Sequence, residues 1–240
     1  MVKLYKDAFF YFVLLFGTLT LGVLIFNLIR TTKFTSTEPS FDFDTIIIDA
    51  GHGGEDGGAV AKDGTLEKDI NLDIALKLNE ILSSSGYCTL MTREKDVSIY
   101  DRDQNKNLRQ KKVSDMQNRL DLINSSPSNI LISIHQNKFP NKKYSGTQVF
   151  FSKNNKSSEI LAKSVQSSIK SLIQPQNDRE IKPANKNIFI LHNSKVPAII
   201  VECGFISNEE ELKNLINPEY QSKIASAIYN GILNSDLLKK

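Results

Sequence analysis

Three histidines, two cysteines and a few well-placed carboxylates are the groups through which this 240-residue chain could do chemistry. His52 lies in DAGHGGEDGG, where flanking glycines let the backbone turn sharply and present one imidazole. His135 lies in ISIHQN, near the carboxyl end of a strand-like run. There Ile130, Ile132 and Ile134 point one way and Leu131, Ser133 and His135 the other. Two neutral imidazoles at neighbouring strand ends suit a pair of zinc ligands. A catalytic zinc needs a third protein ligand and an open position for water. Glu67 is the best candidate, because Thr65 can cap a helix whose first turn holds Glu67 and returns near His52. The plainer alternative is that Glu67 only complements the helix dipole. Glu202 sits among Ile199, Ile200, Val201 and Phe205, where an unpaired carboxylate costs several kcal/mol. It must meet a metal, another cation or a proton, and it suits a general base acting on water at the metal.

Other readings of the same residues are weaker. Six of the twelve glycines fall between Gly51 and Gly64, yet neither a GxxxxGK[ST] nor a GxGxxG pattern is present. Asp49, Glu55 and Asp56 would also repel phosphate. His192, in FILHNSKVP, reads as a surface residue or a support for a ligand rather than a ligand itself. Cys203 alternates to the face opposite Glu202 and reads as a small buried hydrophobe rather than a nucleophile. Cys88 and Cys203 are too few for a disulfide framework or a cysteine zinc cluster.

The elements that must carry these residues alternate between strand and helix. Thr45–Ala50 is a continuous apolar run of strand length, followed by a helix over Leu66–Ser83 with Ile70, Ile74, Leu78 and Leu82 on one face. Strands are expected at Cys88–Thr92, Asn129–Gln136, Thr147–Phe151, Asn187–His192 and Ala198–Cys203, and helices at Asp115–Asn124 and Ser158–Ile173. Ser207 with Glu210 makes a capping box, and Asn217-Pro218 fits a cap followed by proline at the first helical position. The expected fold is α/β: one mostly parallel, mixed twisted sheet with helices on both faces. Asp96–Lys112, long and polar, reads as a solvated loop, with a substrate- or partner-binding flap as the alternative.

Ala8–Ile29 runs 22 residues without a charge, enough at about 1.5 Å per residue to span a bilayer core of about 30 Å. Residues 1–30 are therefore expected to be an uncleaved signal anchor, with a cleaved signal peptide as the alternative. Residues 31–43 read as a tether and 44–240 as a single exported catalytic domain at the outer face of the membrane. With 40% hydrophobic and 24% charged residues, the chain is no disordered protein. Of the formal charge of +3, residues 1–30 hold +2 (Lys3, Lys6 and Arg30 against Asp7), leaving about +1 on the other 210. That gives no electrostatic case for nucleic acid.

DAGHGGEDGG, LEKDINL, ISIHQN and PAIIVECGFISN, in this order and spacing, resemble the zinc-dependent N-acetylmuramoyl-L-alanine amidases of the AMI-3 family. The likeness covers about Asp44 to Leu233. It implies that His52, Glu67 and His135 hold Zn2+ and that Glu202 is the catalytic acid/base, the four residues singled out above. Thr92–Glu94, Arg119 and Asn124 match further family positions and are read as structural. The implied substrate is peptidoglycan, glycan strands bearing stem peptides, cleaved between N-acetylmuramic acid and L-alanine. LRQKK at Leu108–Lys112 resembles the branch that acts in spore formers, removing stem peptides so that muramic lactam can form in the cortex. With an N-terminal anchor and no wall-binding repeat among these residues, targeting is expected from the membrane. Because His52 is borne on a loop, an activating partner protein that orders the metal ligands is a further expectation. The alternatives are a zinc peptidase cutting stem peptides, a non-catalytic wall-binding module, and a cysteine hydrolase built on Cys203 and His192.

Overall fold

Isoleucine and valine runs too short for helices build the centre of the molecule. In the computed structural model, which describes residues 43–100 and 107–238 together with Leu15, Gly17, Thr18 and Thr20, they form one six-stranded sheet. The strands are β1 (Thr45–Ala50), β2 (Cys88–Met91), β3 (Asn129–Asn137), β4 (Gln148–Phe151), β5 (Lys182–Pro183) and β6 (Ala198–Phe205). Their order is β2-β1-β3-β6-β4-β5. The first four in that order are mutually parallel, β4 runs antiparallel to β6, and β5 is parallel to β4. The sheet is mixed and mostly parallel, as the alternation of elements implied.

Its helices are α1 (Glu67–Ser84), α2 (Leu108–Ile123), α3 (Lys156–Leu172), α4 (Phe189–Asn193), α5 (Glu209–Leu215) and α6 (Pro218–Leu233). One face of the sheet packs Ile46, Ile48, Ile132 and Val201 against α1, α3 and α6. The other packs Ile47, Leu131 and Ile200 against Ile123 of α2 and Ile190 and Leu191 of α4. Both faces are therefore dry. That explains why β1 and β3 read as near-continuous apolar runs rather than as half-polar alternation.

Four sequence expectations are corrected. Asn187–His192 is not a strand. Both sides of β6 are occupied by β3 and β4, so no slot remains beside it, and Phe189–Asn193 closes one helical turn instead. Helix α2 begins at Leu108, seven residues before the expected Asp115. Asn107 and Gln110 form a reciprocal capping box there, and the charges read as a loop are the helix's outer face. The cap of α5 is Asn208, which accepts from the Glu210 and Glu211 N–H groups, while the Ser207 hydroxyl accepts from Phe139 N. Thr65 does not cap α1. The glycine loop does so with its own backbone, Ala59 O accepting from Glu67 N and Gly57 O from Lys68 N. The Asn217-Pro218 start of α6 is as read.

The chain divides into two compact units, Met1–Ser40 and Phe41–Lys240. In the first, Leu15, Gly17, Thr18 and Thr20 are helical, with Thr18 Oγ1 donating to Leu15 O and Thr20 Oγ1 to Gly17 O. The rest of the expected span at Ala8–Ile29, and the tether up to Asp42, lie outside the described residues. Among the described residues, no helix is long and apolar enough to cross a membrane.

Candidate active site

In a parallel sheet the strands' carboxyl ends form one edge, and the loops leaving them meet there. β1, β3 and β6 end at that edge with His52, His135 and Glu202. His135 and Glu202 are direct neighbours across the β3–β6 pair. A register shift between His135 and Asn137 breaks that ladder, a bulge at the point where the imidazole must be aimed. His52 itself adopts φ 64°, a left-handed conformation that only local constraint sustains in a non-glycine residue. Gly51 leaves the space that the His135 ring fills: a Cβ there would overlap the ring. At Gly58 (φ 68°) a Cβ would come within 2.7 Å of both Glu67 Oε2 and the His52 ring.

Glu67 stands between the two rings. Its Oε1 lies 2.9 Å from His135 Nδ1 and its Oε2 3.4 Å from His52 Nε2. Backbone donors fix the carboxylate, Ala59 N at 2.8 Å and Gln136 N at 3.0 Å, and Asn71 Nδ2 adds a third at 3.3 Å. One ligand atom from each of His52, Glu67 and His135 lies within 4.8 Å of the others, and the ring centroids are 5.0 Å apart. Tetrahedral donors around zinc are about 3.4 Å from one another, so small rotations bring this set onto one ion. Two nitrogens and one carboxylate oxygen are also a donor set that suits zinc. The electrostatics point the same way. Burial works to lower the His52 pKa, yet Asp56 and Glu67, both accepting from the ring, lift it to about 9. The site is built to hold positive charge, as a proton or as a metal.

Two supports were not singled out from sequence. Asp56 Oδ2 lies 2.9 Å from His52 Nδ1 and fixes that ring, while its Oδ1 meets Lys112 at 2.8 Å. The i,i+4 spacing of His52 and Asp56 inside a glycine loop was a signal available in the sequence. Buried Asp49 accepts from Thr92 Oγ1, Ser133 Oγ and Arg119 Nη1, and Arg119 Nη2 donates to His52 O at 2.7 Å. Burial pushes the Asp49 pKa up, but Arg119, with help from His135 and the two hydroxyls, holds it down at about 2.

Glu202 projects into a cleft of about 350 Å³ whose walls include Tyr100, Leu108 and Met116 on one side and Ile188 and Phe189 on the other. From the segment expected as a solvated loop, Ser98, Tyr100, Leu108, Lys111 and Lys112 line this cleft. Oε2 of Glu202 is buried without a hydrogen-bond partner. Burial raises this carboxyl to about 7, with Glu67 adding to the effect and His135 opposing it. On β4, Gln148 pairs with Glu202 across the antiparallel ladder and accepts from Arg179 Nη2 at 2.7 Å, a support that alternation patterns do not reveal. His192 is exposed and lies outside the cleft lining. Cys203 is fully buried in the apolar core and its thiol pKa is driven up by burial, which is contrary to a nucleophile's needs.

A mostly parallel α/β sheet carrying a site of this kind has relatives. The Amidase_3 family model, N-acetylmuramoyl-L-alanine amidase, matches residues 46–234. The germination-specific N-acetylmuramoyl-L-alanine amidase of Bacillus subtilis (strain 168) is 37% identical over 188 residues, 78% of each chain. Among solved structures, the CwlD amidase from Clostridioides difficile, in complex with the GerS lipoprotein, superposes with a TM-score of 0.77 at 46% identity. That match covers 80% of this chain and 98% of the other. An N-acetylmuramoyl-L-alanine amidase from Clostridium difficile 630 gives 0.68 at 32% identity, covering 80% and 96%. The chain belongs to the N-acetylmuramoyl-L-alanine amidase family. It is an amide hydrolase of peptidoglycan, and its substrate lies outside the cytoplasm.

Proposed function

We propose that His52, Glu67 and His135 hold one Zn2+, that Glu202 is the acid/base, and that the physiological substrate is spore-cortex peptidoglycan. The observation that carries the site is the convergence of two imidazoles and a carboxylate beside a buried carboxylate oxygen with no partner of its own. A zinc ion held there supplies a Lewis acid for the scissile carbonyl and acidifies water from 15.7 toward about 7. The chain's own residues do the rest. Asp56 and Glu67 orient the two rings. Glu202 Oε2 takes the proton of the attacking water as the carbon–oxygen bond forms, then delivers it to the leaving L-alanine nitrogen as the amide breaks.

The cortex assignment is supported by the names of the two relatives most informative about setting, a germination-specific amidase and the CwlD amidase. The latter is solved with a lipoprotein, which supports an accessory protein for this chain also. Residues 1–30 act as anchor or signal peptide, 31–43 as tether and 44–240 as catalytic domain. The enzyme then works at the outer face of the cytoplasmic membrane, including the space between forespore and mother cell. Mass spectrometry of digested peptidoglycan tests the reaction. Intact stem peptides with a free L-alanine amine are expected, whereas fragments cut within the stems would point to a zinc peptidase instead.

A further inference from the structure

We infer that the β3–β4 connection is a second binding surface, a landing for the glycan strand that carries the amide. This rests on the amidase reading of the site beside it. Residues 138–147 leave β3 at the sheet edge that bears His135, and Phe139 is four residues beyond that ligand candidate. Phe139 and Tyr144 are 47% and 44% exposed, large rings left half in water. They are not exposed through slackness. Phe139 meets Tyr144 edge to face at 4.8 Å, and Tyr144 stacks on buried Phe205 at 6.0 Å. The backbone is tied down as well: Phe139 N donates to Ser207 Oγ, Tyr144 N to Asn141 O, and Asn208 Nδ2 to Tyr144 O. Flat apolar surface held rigid at a cost in exposure marks an interaction site.

Position chooses the occupant. Lys138 Nζ donates to Val60 O, and Val60 is itself 43% exposed, which extends the apolar patch toward the glycine loop. The neighbouring Ala59 N holds Glu67. The patch thus begins beside the metal-binding carboxylate, yet neither ring lines the cleft. A polymer substrate cleaved at the metal must continue past it, sugar on one side of the amide and peptide on the other. The lysines of the connection do not select an anion, because Lys142 and Lys143 share a pocket with Glu209, Glu210 and Glu211. Pyranose rings offer apolar C–H faces to stack on the flat faces of Phe139 and Tyr144.

The test uses peptide-free strands of alternating N-acetylglucosamine and N-acetylmuramic acid, so that binding is read without turnover. Isothermal titration of the full chain is expected to show binding, weakened at least tenfold by F139L/Y144L and retained by Y144F. Leucine keeps apolar bulk but removes the flat face, and unchanged circular dichroism shows that the variants are folded. No binding of the strands by the wild-type chain overturns the proposal, and so does undiminished binding by F139L/Y144L. Loss of an accessory protein by that variant, with glycan binding intact, overturns it in favour of a protein-docking role. Cleavage of a short soluble muropeptide is measured in parallel. Activity there without strand binding sinks the landing surface alone, and strand binding without activity sinks the amidase site alone.

Discussion

Glu202 divides the labour at the site. His52, Glu67 and His135 offer a cation two nitrogens and an oxygen, whereas Glu202 offers a carboxylate oxygen free to take a proton. Glu202→Gln keeps the shape and removes the base, so activity on muropeptide should fall by roughly 100- to 10,000-fold while bound zinc is unchanged. The burial that lifts this carboxyl to about 7 also sets a pH limit. It must be deprotonated to act, so kcat/KM rises with pH through its pKa, and a divalent cation nearby draws that limb below 7. A limb well above 7 would argue against Glu202 as the base. Asp56 supports His52 from behind; Asp56→Asn should weaken zinc about 10- to 100-fold in a chelator competition. The four candidate site residues were legible because histidine is scarce and because a carboxylate inside an apolar strand demands a partner. Gln148 and Arg179 were not legible, because their relation to Glu202 exists only through the antiparallel pairing of β4 with β6.

At the scale of elements, the glycine loop and α2 act together to fix His52. The loop caps α1 by its own carbonyls, so it ties His52 to Glu67 through backbone alone. Helix α2 reaches the loop from the other side, with Arg119 on His52 O and Asp49, Lys112 on Asp56, and Lys111 on Glu55. Arg119→Met should cost about 3–5 kcal/mol in urea unfolding, because it strands Asp49 as a buried uncompensated charge. A loss under about 1 kcal/mol would mean that the pair is not what holds the loop. Sequence periodicity found every buried strand of the parallel group, since both faces are apolar there. It misplaced the start of α2, whose exposed LRQKK turn has no apolar rhythm, and it took FILH for a strand. Local β propensity at Phe189–His192 was overruled by the sheet, which had no open edge beside β6.

Across residues 41–240, the sheet's two dry faces make one cooperative unit, and its buried charged residues, Asp49, Glu67, Lys68, Arg93 and Arg119, gather near the carboxyl ends of the strands. Asp49 couples that edge to stability. Its pKa falls from 3.8 to about 2 on folding, so its contribution is complete above about pH 4 and disappears as pH falls toward 2. About 2 kcal/mol should be lost across that window in urea midpoints, with a shallower pH slope in Asp49→Asn. The most direct check of the site is zinc content by plasma mass spectrometry on the purified full chain and its variants, read beside amide hydrolysis. With zinc supplied at saturating concentration, one zinc per chain is expected for the wild type and for Glu202→Gln, the latter inactive, with metal lost from His52→Ala and His135→Ala. Full zinc in the histidine variants, or hydrolysis by Glu202→Gln at the wild-type rate, would contradict the account.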